Sequence, residues 1–323
     1  MTSGFLFWVA CATAAAQSPT LAVVEKKASA VGFYTSDGKR MGEVKVGRTP
    51  HEIIYSADRR SLYVTDNGIL WMTETGAGGN TISVIDVASR KKVAVIDLGE
   101  NRRPHGMDLV PKTGQLVVTV ENPSALLLVD PEARKVIRRY DTKGKQPHMV
   151  VLDRAGEWAY VSNSASGSIA AVRLADGHVK VLAVGGNPQG GVRSPDGRRV
   201  YITVKDENSI AVIDTASQAL VGKIPVGKGP ARVALTRDEK IALYNTQTSE
   251  GMGFADIATK KQLAEIKLPG VPLSMTVSED GQRAYLGLQD SDRIAVVSIP
   301  ERKIIRIIDT PKNSGPDPVL EIR

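Results

Sequence analysis

The chain has 323 residues, 42% of them hydrophobic, and a formal net charge of +7 at pH 7. Its basic residues fall at equivalent points of successive repeats rather than in a stripe interleaved with aromatic residues, so the sequence predicts no nucleic-acid binding. The only cysteine, Cys11, lies in the first apolar segment, so a mature chain without that segment has no thiol nucleophile, cysteine-bound zinc or disulfide.

The first predicted element is an export signal in residues 1–16. Residues 5–12 form an apolar run too short to span a bilayer, and Ala14-Ala15-Ala16 suits a cleavage site before Gln17. We therefore expect no transmembrane segment, one domain over residues 17–323, and a periplasmic or secreted location. Lipidation of Cys11 remains an alternative. The basic surface is expected to favour contact with anionic polymers of the cell envelope.

After the signal, a proline that opens an apolar strand recurs at intervals of about 40 to 55 residues. The seven openings are Pro50-His51, Pro104-His105, Pro147-His148, Pro188-Gln189, Pro230-Ala231, Pro272-Leu273 and Pro316-Asp317. A period of this length with several short strands in each unit is typical of β-propeller blades.

The unit from Pro188 to Gly229 illustrates the predicted blade. Its Ser194-Pro195-Asp196-Gly197 segment supplies the positive φ angle and the side-chain hydrogen bonds of a tight hairpin turn. The predicted strands of this unit are residues 190–193, 199–204, 210–214 and 219–226. Each unit is therefore predicted to be a sheet of four antiparallel strands, and no segment shows helical periodicity.

The two ends of the chain are predicted to form one composite blade. Residues 316–322 supply an innermost strand with nothing after it, whereas residues 21–26, 30–35 and 40–46 supply three strands with no innermost one. Pairing them removes the exposed sheet edge. The predicted fold is an all-β, seven-bladed β-propeller, and we expect it to be a monomer.

Several short motifs resemble the Tyr-Val-Thr-Asn repeat family of bacterial β-propellers, which is similar in outline to the cytochrome cd1 propeller superfamily. They are Tyr63-Val64-Thr65-Asp66-Asn67, Tyr160-Val161-Ser162-Asn163, Tyr201-Ile202-Thr203, Ser194-Pro195-Asp196-Gly197 and the Val-Ile-Asp endings at Asp86 and Asp214. The resemblance covers the chain after the signal and implies the propeller fold. It does not imply one function, because such propellers serve as surface proteins, binding modules and enzyme scaffolds.

The residue after each repeat proline is predicted to lie in a ring at one mouth of the central channel. In blade order the ring reads His51, His105, His148, Gln189, Ala231, Leu273 and Asp317. Because the last blade adjoins the first, the polar members form one unbroken arc, and Ala231 with Leu273 close the ring on an apolar side. We predict that this mouth binds a small molecule, an anionic ligand or a metal.

Three of the four histidines lie in this arc, and only His178 is elsewhere. His51, His105 and His148 can ligate a divalent metal such as zinc or iron, with Asp317 or Glu52 completing the site. The alternative is structural: the Pro-His pair spread by duplication, and the rings only form hydrogen bonds with loop carbonyls.

Other polar residues are expected at the same mouth. Arg232 can pair with an anionic group, and Glu121 is the carboxylate expected to act as a base or ligand. The segment 68–80 is longer than its counterparts and is predicted to form an apolar lid, although it can instead pack on its own blade. The catalytic candidates are His51, His105, Glu121, His148 and Arg232, and the ligand-binding candidates are Glu52, Asn122, Asn163, Gln189, Arg232 and Trp71.

Four functions remain open from the sequence. The first is an exported protein that binds a small ligand or metal at the mouth. The second is a lactonase-like hydrolase or isomerase acting on an anionic small molecule, and the third is a surface or assembly scaffold for protein contacts. The fourth, implied by the cytochrome cd1 outline, is non-covalent haem binding, because the chain has no Cys-x-x-Cys-His haem attachment motif.

Overall fold

The computed structural model describes residues 20–322, so the predicted signal in residues 1–16 and Cys11 lie outside the described part. Its 28 strands form seven four-stranded antiparallel sheets. The only helical segments in residues 20–322 are three 3-10 turns of three residues each, and none is long and apolar enough to cross a membrane. The predicted all-β, seven-bladed β-propeller is confirmed.

The strands follow one another in chain order and are numbered here from β1 to β28. The first three are β1 (Leu21–Glu25), β2 (Ala30–Tyr34) and β3 (Arg40–Lys45). Blade 1 contains β4 (Pro50–Tyr55), β5 (Ser61–Asp66), β6 (Thr81–Asp86) and β7 (Lys91–Asp97). Blade 2 contains β8 (Arg102–Leu109), β9 (Leu116–Asn122), β10 (Ser124–Asp130) and β11 (Lys135–Tyr140). Blade 3 contains β12 (Pro147–Leu152), β13 (Trp158–Asn163), β14 (Ser168–Arg173) and β15 (Val179–Ala183).

The second half of the chain repeats this plan. Blade 4 contains β16 (Pro188–Arg193), β17 (Arg199–Val204), β18 (Ser209–Asp214) and β19 (Ala219–Pro225). Blade 5 contains β20 (Pro230–Leu235), β21 (Ile241–Thr246), β22 (Gly251–Asp256) and β23 (Lys261–Lys267). Blade 6 contains β24 (Thr276–Val277), β25 (Arg283–Leu288), β26 (Arg293–Ser298) and β27 (Lys303–Asp309), and β28 (Pro316–Glu321) follows.

The predicted composite blade is confirmed, and we call it the closing blade. Its strand order is β28, β1, β2, β3. Strand β1 pairs with β28 in a register that places Val23 opposite Val319 and Ala22 opposite Leu320. The two ends of the described chain thus share one sheet, which leaves no innermost strand unpaired.

The hydrophobic core lies between neighbouring blades. One cluster joins Ile82 and Ile96 of blade 1 to Val118 and Leu127 of blade 2, all of them fully buried. The middle strands therefore carry apolar residues on both faces, as expected for sheets packed between two neighbours. The outermost strands alternate between exposed and buried residues, as β7 shows.

Threonine hydroxyls fix the openings of three innermost strands to the blade before each of them. Thr65 Oγ1 donates to the His105 carbonyl at 3.0 Å, and Thr119 Oγ1 donates to the His148 carbonyl at 2.7 Å. In blade 4, Thr203 Oγ1 donates to the Ala231 carbonyl at 3.1 Å. These bonds join equivalent positions of successive blades, so they set the spacing of the ring of residues at the channel mouth.

One innermost strand departs from the repeat. In blade 6 only Thr276 and Val277 pair with the neighbouring strand, although the repeat predicts a longer strand starting near Pro272. Before that point, the Leu273 N–H still donates to the Gly287 carbonyl at 3.0 Å. Leu273 therefore keeps its place in the ring without a continuous strand.

Candidate functional site

The ring of residues that follows the repeat prolines surrounds one cavity of about 700 Å³ at the channel mouth. All seven members line it: His51, His105, His148, Gln189, Ala231, Leu273 and Asp317. The repeat therefore brings together side chains that lie up to 266 residues apart in the sequence. The volume lies in the range of pockets that hold small molecules and cofactors, which is about 300–1,000 Å³.

The three ring histidines are in direct contact with one another. His51 Nδ1 lies 3.1 Å from His105 Nε2, and the centroids of the His105 and His148 rings lie 4.0 Å apart. Gly106 permits this approach, because a Cβ atom there would lie 2.6 Å from the His148 carbonyl oxygen. The structure thus places the three predicted histidines in one buried cluster.

Hydrogen bonds fix the tautomer of two of these rings. His51 Nε2 lies 2.7 Å from the Ile69 carbonyl oxygen, which can only accept, so this nitrogen carries a proton. Burial lowers the pKa of His51 and His105 well below the usual range, so both rings are neutral at pH 7. His51 Nδ1 therefore accepts a hydrogen bond from His105 Nε2–H, and His105 Nδ1 keeps a lone pair.

That lone pair faces Glu121, the carboxylate singled out in the sequence. Glu121 Oε1 lies 3.2 Å from His105 Nδ1, and Glu121 Oε2 lies 3.4 Å from Arg103 Nη1. Burial raises the pKa of Glu121 to about 7, although Arg103 opposes this shift. A proton or another cation is needed between the two facing lone pairs.

The third histidine has no hydrogen-bond partner for its ring. His148 is 5% exposed, and its Nδ1 is a buried nitrogen without a partner among residues 20–322. Burial lowers the pKa of this ring well below its usual value, so the ring is neutral at pH 7. Because a buried polar atom normally has a partner, His148 is the ring most available to a ligand.

Asp317 is committed to a different partner. Its Oδ2 lies 2.9 Å from Lys26 Nζ, and both side chains are almost completely buried. The potential metal ligands that the structure brings within 4.8 Å of one another are His105, Glu121 and His148. The metal site predicted from the sequence stays a prediction, and the geometry favours Glu121 over Asp317 as its carboxylate.

Two further charged residues from the sequence prediction form a pair beside the cavity. Arg232 Nη2 lies 2.5 Å from Glu52 Oε1, although the two residues are 180 positions apart. Burial raises the pKa of Glu52 to about 7, and the positive charge of Arg232 acts in the opposite direction. Arg232 lines the cavity but Glu52 does not, so the pair presents its cationic end to a ligand.

Sequence reasoning missed two lysines that line the cavity, Lys26 and Lys205. Lys205 Nζ donates to Gln247 Oε1 at 2.7 Å and makes no ion pair with a carboxylate in the described chain. Its position between β17 and β18 could have been noticed, because that loop opens on the mouth. Lys205 is therefore the cation best placed to receive an anionic group of a ligand.

The segment 68–80 covers part of the mouth. Leu70, Trp71 and Met72 line the cavity, and Trp71 is 38% exposed. The segment is held by the neighbouring blades: Arg103 Nη2 donates to the carbonyls of Glu74 and Gly76 at 2.8 Å each, and Gln146 Nε2 donates to the Met72 carbonyl at 3.2 Å. The segment therefore lies across the blade boundary.

The remaining ligand-binding candidates divide into two groups. Gln189 lines the cavity and donates to Ser164 Oγ at 3.3 Å. Asn122 is exposed, and Asn163 is buried and donates to the Thr142 carbonyl at 3.1 Å, so neither lines the cavity. Asn163 holds a loop in place, and a direct contact with a ligand is not open to it.

Comparison with known proteins places the chain among bacterial propellers. No family model matches the sequence. Protein NirF of Pseudomonas aeruginosa PAO1 is 26% identical over 210 residues, which cover 61% of this chain and 54% of NirF. The chain thus spans about half the length of that relative. Membership of the Tyr-Val-Thr-Asn repeat family therefore stays a prediction from the sequence motifs.

Solved structures are similar to the chain in fold. The periplasmic gluconolactonase PpgL of Pseudomonas aeruginosa superimposes with a TM-score of 0.75 at 16% identity, covering 94% of this chain and 99% of PpgL. The dihydro-haem d1 dehydrogenase NirN in complex with DHE superimposes with a TM-score of 0.67 at 14% identity, covering 96% of this chain and 76% of NirN. At these identities the likeness concerns the fold.

Proposed function

We propose that this protein is an exported, periplasmic binding protein whose mouth captures an anionic tetrapyrrole of the haem d1 class. The observation that carries the proposal is the composition of the cavity. A histidine ring without a hydrogen bond, an unpaired lysine and an apolar cover meet in about 700 Å³. A planar, apolar ring system with carboxylate substituents needs these three kinds of contact.

Each contact has an identified residue. Lys205 lies in the cavity wall and can pair with a ligand carboxylate, as can Arg232 on the apolar side of the ring. Trp71 offers an aromatic face against which a flat ligand can stack. The His148 ring fits a haem-type iron, because it is neutral, buried and without a partner among the described residues. Such an iron supplies Lewis-acid and redox chemistry when it is bound.

One structural neighbour supports this choice of ligand. The structural neighbour NirN is by its title a dihydro-haem d1 dehydrogenase solved with DHE, and its propeller is similar over 96% of this chain. NirF is similar in sequence over 210 residues. The periplasmic location is supported by the similarity in fold to PpgL, which is a periplasmic gluconolactonase by its title.

The test is a titration of the purified mature protein with haemin, followed by the absorbance of the Soret band. We expect saturable one-to-one binding that is at least tenfold weaker in Lys205→Met and in Trp71→Ala. The control is His178→Ala, because His178 is exposed in an outer turn between β14 and β15. Absence of saturable binding, or equal affinity in all four proteins, would refute the proposal.

A second function is favoured by the pairing of His105 with Glu121. A carboxyl group whose pKa is raised to about 7 beside a neutral imidazole can act as a general base, and PpgL, a gluconolactonase, is similar in fold over 94% of this chain. In this function the pair would activate water against the carbonyl of a lactone, and Lys205 would hold the carboxylate that hydrolysis forms. Hydrolysis of gluconolactone that is abolished in His105→Ala and retained in His178→Ala would establish it. Lack of hydrolysis by the wild type would exclude this substrate.

A further inference from the structure

The polarity of the hydrogen bonds leaves two lone pairs facing each other in the mouth. The Ile69 carbonyl fixes the proton of His51 on Nε2, which makes His51 Nδ1 an acceptor and His105 Nε2 a donor. The remaining nitrogen of His105 then points an unprotonated lone pair at Glu121 Oε1, 3.2 Å away. Neither atom has a proton of its own to offer when the carboxyl group is ionised. Either the carboxyl proton or a bound cation must therefore lie at this position.

We infer that His105 Nδ1, Glu121 and His148 bind one divalent transition-metal ion of the zinc or iron(II) class. The separation of His105 Nδ1 and Glu121 Oε1 fits this assignment. Metal–nitrogen and metal–oxygen bonds of about 2.0–2.2 Å at angles of 90–109° place two ligand atoms about 2.8–3.5 Å apart. The ligand atoms of all three residues lie within 4.8 Å of one another.

His148 supplies an independent observation. Its Nδ1 is buried and has no partner among residues 20–322, and the ring is 5% exposed. A buried imidazole nitrogen without a hydrogen bond is costly unless something binds it. No group of residues 20–322 does so, whereas a metal shared with His105 and Glu121 would.

The surroundings have the form of a second coordination shell. His51, which is itself held by the Ile69 carbonyl, bonds to the far side of the His105 ring and so fixes its orientation and its tautomer. Arg103 Nη1 approaches Glu121 Oε2, which leaves Oε1 for the metal. His51 is thus a positioning residue in this site, and Asp317 takes no part because it pairs with Lys26.

The proposed centre has two histidines, one carboxylate and at least one open position. His105 and His148 both line the cavity, so the open position faces the ligand space. Two histidines with one carboxylate suit zinc in a catalytic site or non-haem iron(II). The ligand class expected at the open position is water or an oxygen of a carboxylate or lactone.

The experiment uses metal alone, so its outcome does not depend on the haemin titration. The mature protein, prepared without a tag and stripped of metal by a chelator, is titrated with Zn²⁺ and then with Co²⁺, whose visible absorption reports its coordination. Because His148 serves both proposals, haemin is left out. We expect one ion per chain in the wild type, in His178→Ala and in Asp317→Asn.

The expected losses of metal binding distinguish the proposed metal ligands from the residues that surround them. Glu121→Ala and His148→Ala should abolish stoichiometric binding, and His51→Ala should weaken it by about 10–100-fold, as removal of a second-shell partner does. Circular dichroism and thermal unfolding of each stripped variant confirm that it is folded. If Glu121→Gln, which preserves the size of the side chain, still binds one ion with wild-type affinity, or if His178→Ala alone loses the ion, the assignment is wrong.

Discussion

The buried ion pair between Lys26 and Asp317 offers the sharpest test of how the propeller closes. Lys26 directly follows β1, Asp317 belongs to β28, and the two side chains meet 291 positions apart in the sequence. Their exposed fractions are 5% and 6%. The Lys26→Met substitution keeps the apolar stem of the side chain and removes the charge, which leaves the Asp317 carboxylate buried without its partner.

The magnitude follows from the burial and the distance. At 2.9 Å, with an effective dielectric constant of about 20, the attraction between the two charges is about 6 kcal/mol. Much of it is offset by the cost of taking both charges out of water, so the pair itself adds little net stability. Removal of one partner is different, because it leaves an uncompensated buried charge, and it is expected to cost about 3–5 kcal/mol. The Asp317 Oδ1 atom, which already lacks a partner in the described residues, cannot compensate.

The assay is equilibrium unfolding in urea at pH 7 on the wild type, Lys26→Met, Asp317→Asn and the double variant. We expect each single variant to lose several kcal/mol, and the double variant to recover most of that loss because it buries no unpaired charge. The coupling free energy of this cycle isolates the pair. If Lys26→Met costs less than about 1 kcal/mol, the carboxylate is not both buried and ionised, and the reasoning fails.

Two further predictions concern the histidine cluster. Because the pKa of Glu121 is raised to about 7, this carboxyl group holds a proton in the folded protein that the unfolded chain releases above pH 4.5, so its contribution to stability falls by about 3 kcal/mol as the pH rises from 4.5 to 7. The three buried histidines, whose lowered pKa values give the opposite slope, are common to the wild type and Glu121→Gln. Urea unfolding across that range should therefore show the stability of the metal-free wild type falling by about this amount relative to Glu121→Gln; a constant difference between the two proteins would contradict it. Gly106→Ala places a Cβ 2.6 Å from the His148 carbonyl oxygen and should destabilise the fold by about 1–3 kcal/mol. Gly99→Ala, where the added Cβ meets open space, measures the cost of a positive φ angle without a steric clash.

The fold was predictable because the repeat carries its own evidence. The units share the proline opening and similar turn residues. A wrong prediction of one strand therefore leaves the predicted number of blades unchanged. The boundaries were less certain: β16 begins at Pro188 rather than 190, and β24 is reduced to Thr276–Val277. The position at which a strand ends depends on its hydrogen bonds with the neighbouring strand. The local sequence of one segment does not predict these bonds.

The candidate site was predictable in position but not in contacts. Equivalent places in the repeats necessarily form a ring, so all seven predicted ring residues line one cavity. The direction of each side chain was not predictable, because it depends on partners far away in the chain. Asp317 turns to Lys26, and Arg232 turns to Glu52 on the other side of the channel. Lys205 was missed although its loop between β17 and β18 opens on the mouth, because a lysine in a loop is more often a solvated charge than part of a site.

The three Pro-His pairs look alike in sequence, yet their rings are not equivalent in the structure. His51 uses both ring nitrogens within the protein, His105 uses one for His51 and turns the other to Glu121, and His148 uses neither. Duplication alone explains why the three Pro-His pairs share one sequence. It does not explain why the ring nitrogens become progressively less engaged within the protein from blade 1 to blade 3. His148, the ring without a hydrogen bond, lines the same cavity as Gln189 and Lys205, and Lys205 is the most available cation there. The sector formed by blades 3 and 4 therefore offers a ligand the free nitrogen of His148 and the amine of Lys205, while blade 1 holds the His105 ring in place through His51.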